Sequence, residues 1–263
     1  MKYALVTGAS SGIGLEYARQ LAEKGYHLVI VSNQEEENKR VAEEIHSCYG
    51  VEVRPMFADL SQADSANRVY DWCQKQGLLI HILVSNAGIL HFGRLVNAKE
   101  EIIDRIVTLH CTTPAKLCRL FAADMSQRQD GYILLMSSMT AWLPYPTMSL
   151  YGSTKVFLKN LGQSLWYELR PYGVSVTTVF PGAVDTPLYQ LDDKKRRLFR
   201  GVGMMSSAQA LAKKGLRAMF KRKRQCVPGI LIKIELLICR LLPAHGLLPI
   251  LKIPVIKRIL EKK

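Results

Sequence analysis

The chain has 263 residues, 48% of them hydrophobic, six cysteines and a formal net charge of +14 at pH 7. That suits one large α/β domain or two small ones with a full apolar core. No stretch reaches the roughly 18 consecutive apolar residues needed to span a bilayer, no N-terminal segment has signal-peptide order, and the cysteines form no C-x-x-C pair or zinc spacing. Reduced thiols in a cytoplasmic protein without a metal are therefore expected.

Residues 2–8, KYALVTG, read as a short strand ending at Gly8. GLEYARQLAEKG follows with Leu15, Ala18, Leu21 and Ala22 on one helical face and Gly25 as a stop. YHLVIVS is a continuous apolar run, as in a strand buried on both faces. EEENKRVAEEIHSCYG predicts a helix ending at Gly50, VEVRPMFADL a third strand, SANRVYDWCQKQG a helix and IHILVSNAG a fourth strand. Residues 99–128 are helical in pattern, with Pro114 forcing a kink or restart. GYILLMSS and VSVTTVFPG are two further strands around a helix that contains SLYGSTK, residues 149–155. Alternating strands and helices predict a doubly wound parallel sheet with helices on both faces. The expected domain covers residues 1–190, and residues 191–263 are expected to form a substrate loop and a basic apolar extension.

TGASSGIG, residues 7–14, lies between the first strand and the first helix. Gly8, Gly12 and Gly14 allow a tight turn and close approach of a pyrophosphate. The helix N-terminus offers unpaired N–H groups to that anion. A glycine pattern alone is weak, but this one has the strand–loop–helix context of a dinucleotide site.

TGASSGIG, SNAG (85–88), Ser138, YGSTK (151–155) and PGAVDT (181–186) stand in the order and spacing of the classical short-chain dehydrogenase/reductases, which the first 190 residues resemble. The resemblance implies a Rossmann-type fold, a nicotinamide cofactor and reversible carbonyl–alcohol chemistry. It assigns the cofactor cradle to Gly8, Ser10, Ser11, Gly12, Ile13 and Gly14. Asp59 and Leu60 match the adenine-binding pair. Asn86, Ala87 and Gly88 match the segment that steadies the sheet and lines the cofactor. Pro181, Gly182, Val184 and Thr186 match the loop near the nicotinamide amide.

On a helix, Tyr151 and Lys155 share one face. Ketone reduction needs a proton for the oxygen, and a tyrosine hydroxyl with a pKa of about 10 is a poor acid–base at neutral pH. An ammonium about 4 Å away contributes roughly 4 kcal/mol at an effective dielectric near 20, or about three pKa units. That would bring Tyr151 to about 7, where acid–base catalysis works best. The resemblance also gives Lys155 the nicotinamide ribose. Ser138 is expected to hold the substrate carbonyl; Ser137 competes, and the family spacing favours Ser138. One position departs from the family, whose usual helix asparagine aligns with His110. That ring is either part of a proton relay, with pH-dependent activity, or simply packed in the helix.

In NAD-preferring members an acid ends the second strand, and in NADP-preferring members a basic residue often stands there or in the glycine loop. Here Ser32 and Asn33 hold the selecting positions and Ser11 the loop position. NADP(H) is favoured over NAD(H), although Glu35 to Glu37 argue the other way if their loop folds inward.

The basic excess lies in residues 194–263, where Glu235 and Glu261 are the only acids. Any partner drawn by charge should bind there. The apolar, basic tail suits an anionic membrane surface, or packing as a substrate lid or subunit contact in a homo-oligomer. KRKR, residues 221–224, comes without a recognition motif, so no specific nucleic acid is expected. The expected substrate is hydrophobic, an acyl-chain or steroid-like ketone. A nucleotide-sensing or membrane-associated binding protein of low activity on the same fold is the alternative.

Overall fold

The computed structural model describes residues 1–142, 145–185 and 206–229. Among these, six parallel strands alternate with helices: β1 Tyr3–Thr7, α1 Gly12–Ala22, β2 His27–Ser32, α2 Glu35–Tyr49, β3 Val53–Phe57, α3 Ser65–Lys75, β4 Ile80–Ser85, α4 Glu100–Val107, α5 Thr113–Gln127, β5 Gly131–Met136, α6 Ser149–Leu169 and β6 Val174–Val179. Two-residue strands β7 Val184–Asp185 and β8 Ser206–Ser207 pair with each other, helix α7 spans Ala208–Phe220, and β9 Gln225–Cys226 joins the main sheet. The sheet order is β3-β2-β1-β4-β5-β6-β9, all parallel.

Strands buried on both faces explain the unbroken apolar runs. Ala4, Val6, Leu28, Ile30, Val84 and Leu134 pack with α1, α2 and α7. Their neighbours in sequence, Leu5, Val29, Leu83 and Ile133, point to the opposite face and pack with α3 and α5. The third strand is shorter than its apolar pattern and holds Pro55, which is tolerated because β3 is an edge strand.

The helical stretch from 99 to 128 is interrupted before its proline. Residues Thr108–Thr112 form a π-helical turn between α4 and α5. Pro114 then falls in the first turn of α5, directly after this π-turn.

The fold continues beyond residue 190. Leu211, Ala212, Leu216 and Met219 of α7 are buried in the first core. Gly215 makes this possible, since a Cβ there would lie 2.3 Å from the Tyr17 hydroxyl of α1. The KRKR cluster is fastened to the domain: Arg222 Nη1 donates to Gly173 O at 2.9 Å, Arg224 Nη1 to Tyr167 Oη at 2.7 Å, and Thr177 Oγ1 donates to Lys223 O at 2.6 Å. Two of its side chains, Arg222 and Arg224, therefore also serve the fold. Thr186, the expected substrate segment through residue 203 and the tail from residue 230 lie outside the described residues. Among the described residues, no helix is long and apolar enough to cross a membrane.

Gly215→Ala is expected to force α7 away from Tyr17 and to lower stability by about 1–3 kcal/mol. Urea unfolding checks this, and an unchanged midpoint would show that the two helices have room to part.

Candidate active site

The direction of chain winding reverses between β1 and β4. A cleft opens at the C-terminal ends of the strands at this point, where ligands bind in doubly wound sheets. Gly8, Ser10, Ser11, Gly12 and Ile13 line it. Gly8 and Gly12 have φ of 66° and 58°, and a Cβ on Gly8 would stand 2.9 Å from Ala87 Cα. Gly14 acts differently: a Cβ there would lie 2.0 Å from Gly8 O. It allows α1 to close on the loop and does not line the cleft. The Ser11 side chain caps nothing, and the first turn of α1 carries no acid. The loop thus offers backbone N–H groups and a positive helix end without a competing carboxylate, which fits a pyrophosphate.

Thr7 and Asn86 hold the two sides of the cleft together. Asn86 N and Ala87 N donate to Thr7 Oγ1 at 2.9 and 3.0 Å, and Asn86 Nδ2 donates to Thr7 O at 3.0 Å. Asn86, Ala87 and Gly88 all line the cleft. At the end of β2, Ser32 Oγ donates to Ser10 Oγ at 2.9 Å and accepts from Gln34 N at 3.1 Å. Asn33 is exposed in the same wall. The acids that follow face elsewhere: Glu35 and Glu36 pair with Lys39, and Glu37 pairs with Arg40. None of the three lines the cleft. At the end of β3, Asp59 accepts from Ser61 N and Ser61 Oγ at 3.0 and 2.7 Å. Those bonds hold its carboxyl below the usual range, and Leu60 lies beside it.

The other end of the cleft gathers Ser138, Tyr151, Lys155, Pro181, Gly182 and Val184. The geometry separates the two serines. Ser137 Oγ donates to Lys155 O at 2.7 Å, while Ser138 Oγ accepts from Thr140 N at 3.2 Å. Ser137 is thus engaged in holding α6, and the Ser138 proton stays available to an acceptor in the cleft. Lys155 is buried, donates to Met136 O at 3.1 Å and stands 5.3 Å from the Tyr151 ring centre.

His110 sits fully buried in the π-turn. Ile89 N donates to its Nε2 at 3.0 Å. That fixes the proton on Nδ1, which donates to Thr154 Oγ1 at 3.0 Å; Thr154 Oγ1 in turn donates to Tyr151 O at 2.7 Å. The ring packs edge-on to Tyr151 with centres 5.7 Å apart. Burial, aided by the charge of Lys155, lowers its pKa well below the ordinary value. The His110 ring is a neutral bridge, with each nitrogen already engaged.

Sequence reasoning missed Ile89, Arg105 and Leu109, which also line the cleft. Arg105 and Leu109 are one helical turn apart, a spacing visible in the sequence, but only the packing of α4 shows which way that face points. Thr154 was also missed, since its role rests on His110, a partner distant in sequence.

The profile described as short chain dehydrogenase matches residues 2–197. The chain belongs to this family. It is 33% identical over 196 residues to very-long-chain 3-oxoacyl-CoA reductase-A of Danio rerio, covering 72% of this chain and 60% of that protein. To 17-beta-hydroxysteroid dehydrogenase type 3 of Danio rerio it is 34% identical over 192 residues, covering 71% and 62%. The chain thus matches about 60% of the length of these curated relatives. A solved short-chain dehydrogenase from Sphingobium yanoikuyae, in complex with NADPH, superposes with a TM-score of 0.80 at 28% identity over 95% of this chain and 96% of that one.

The short-chain dehydrogenase cleft carries one costly feature, the buried Lys155. Burial lowers its pKa to about 8. Between about pH 8 and the unfolded value of about 10.5, the unfolded chain therefore binds more protons than the native one. The native state is favoured at high pH, and this contribution is lost as pH falls through 8. Lys155→Met is expected to stabilise the protein at pH 7 by up to about 3 kcal/mol, a gain that fades as pH rises past about 8 and is gone above about 10.5. Chemical denaturation at the two pH values checks this; equal or lower stability at pH 7 would show that the native ammonium is adequately solvated.

Proposed function

We propose that the protein is an NADP(H)-preferring reductase of hydrophobic ketones, of acyl-chain or steroid-like type. The convergence of Ser138, Tyr151 and Lys155 at one end of a nucleotide cleft carries this reading. When bound, the reduced nicotinamide supplies a hydride to the carbonyl carbon. Ser138 donates a hydrogen bond to the carbonyl oxygen and fixes its position. Tyr151 delivers its hydroxyl proton to that oxygen, giving the alcohol. The Lys155 ammonium favours the tyrosinate that results and also holds the ribose hydroxyls. Met136 O steadies Nζ, and Ser137 steadies the backbone of Lys155. His110 positions Tyr151 through Thr154, and it is not the titrating member of a relay.

The outward pairing of Glu35 to Glu37 and the uncharged Ser32 and Asn33 support a 2′-phosphate, because no carboxylate at the end of β2 opposes it. The named activities of the two curated relatives support a hydrophobic substrate. So does the exposed apolar surface of Phe92, Leu95 and Val96. That loop is tied to the segment before Tyr151 by the bond from Gly93 N to Thr147 O, 2.9 Å. Exposed Val107 and Phe157, on the packed helices α4 and α6, support a homo-oligomer. The basic, apolar composition of residues 230–263 supports peripheral membrane contact of an otherwise cytoplasmic protein.

Fluorescence titration should show tighter binding of NADPH than of NADH. Tyr151→Phe should keep that binding and lose roughly a thousandfold in turnover. Near-normal turnover in the variant would remove Tyr151 from the chemistry, and no binding of either dinucleotide would leave only the membrane-associated alternative. The wild-type rate should fall above about pH 8 as Lys155 loses its proton, with no step near the usual histidine range. A step at about pH 6.5 that disappears in His110→Asn would return His110 to a titrating role.

A further inference from the structure

Besides Lys155, the cation lining the cleft among the described residues is Arg105. It is exposed and projects from α4, one turn before the buried Leu109, which lines the same wall. Across from α4 the end of β3 supplies Ala58, Asp59 and Leu60. These residues line the cleft together: Ala58, Leu60 and Leu109 are apolar, Asp59 supplies a carboxylate, and the guanidinium of Arg105 is near enough for its charge to act on Asp59.

We propose that Arg105 stacks on the adenine ring of the bound dinucleotide and closes that end of the cleft. The inference rests on the nucleotide reading above and adds to it the residue that grips the base. A planar guanidinium lies favourably over an aromatic face, which an ammonium on a flexible stem does less well. Leu60 and Leu109 offer the apolar surface that a purine needs and a phosphate does not. Asp59 decides between those two ligands. Its carboxyl is held ionised by its bonds to Ser61, with a smaller contribution from the charge of Arg105. An ionised carboxylate beside the guanidinium repels a phosphate dianion, but accepts a hydrogen bond from the exocyclic amino group of adenine. The selecting positions for the 2′-phosphate, Ser32 and Asn33, end the adjacent strand β2. Arg105 therefore serves the base and leaves the choice between NADPH and NADH to that strand end.

The test measures dissociation constants by fluorescence titration for NADPH, NADH and reduced nicotinamide mononucleotide, which lacks the adenosine half. In Arg105→Ala, affinity for both dinucleotides should fall by about tenfold. Affinity for the mononucleotide and the NADPH to NADH ratio should stay as in wild type. Arg105→Lys should resemble the alanine variant, because it keeps the charge and loses the plane. The proposal is overturned by unchanged dinucleotide affinity in Arg105→Ala, or by full affinity in Arg105→Lys. It is also overturned if only NADPH weakens, which would make Arg105 a phosphate ligand, or if the mononucleotide weakens equally, which would mark a general disturbance. Failure of the wild-type protein to bind either dinucleotide would overturn the nucleotide reading itself, and is distinguishable from all of these.

Discussion

The contact on which the cleft depends is the approach of α1 to the ends of β1 and β4. Gly14 lies so close to Gly8 O and Asn86 Nδ2 that any side chain would collide with both. Asn86 then bonds Thr7 O at 3.0 Å, with a weaker reach to Gly8 O at 3.3 Å, while Thr7 Oγ1 accepts the two N–H groups of the neighbouring loop. Loop, helix start and sheet switch point are fixed by one knot of backbone and small side chains. The rigidity matters because an anion site made of N–H groups works only if those groups are held in place before the ligand arrives.

The second constraint is the burial of a cation. Lys155 sits on α6 against the end of β5, and desolvation makes its charge expensive. A fold optimised for stability would place an apolar side chain there. The surrounding bonds hold the lysine without neutralising it: Met136 O accepts from Nζ, and Ser137 secures the helix backbone. No carboxylate pairs with Lys155 among the described residues. A cation left unneutralised at a buried position acts strongly on a nearby phenol, so the burial that destabilises the fold is also what the proposed role of Lys155 requires.

The π-turn joins these two regions. Its extra residue between α4 and α5 turns His110 inward, toward Ile89 of the cleft wall and Thr154 of α6. Such turns cost regular helical bonding and recur at functional sites. Here the turn lets one ring span the cleft wall and α6. Arg105 and Leu109, just upstream on the same stretch, extend the wall toward the end of β3. Within a few residues, Arg105 and Leu109 thus line the cleft, while the buried His110 bonds Ile89 and Thr154.

The sequence by itself determined the alternation of strands and helices, because burial on both faces leaves apolar runs that cannot be mistaken for half-exposed strands. It also determined the glycine loop and the Tyr151–Lys155 pair, since both depend on local spacing. The close approach at Gly14 and the hydrogen-bond partners of Ser137 and His110 were set by the tertiary structure alone. Each turns on a partner far along the chain: Asn86 for Gly14, Lys155 for Ser137, Ile89 and Thr154 for His110. The same holds for α7 and β9, whose basic residues read as an extension until Gly215 meets Tyr17 and β9 pairs with β6. Periodicity reports how a residue relates to its own element; which element it meets is set by packing, and the chemistry of this cleft lies in those meetings.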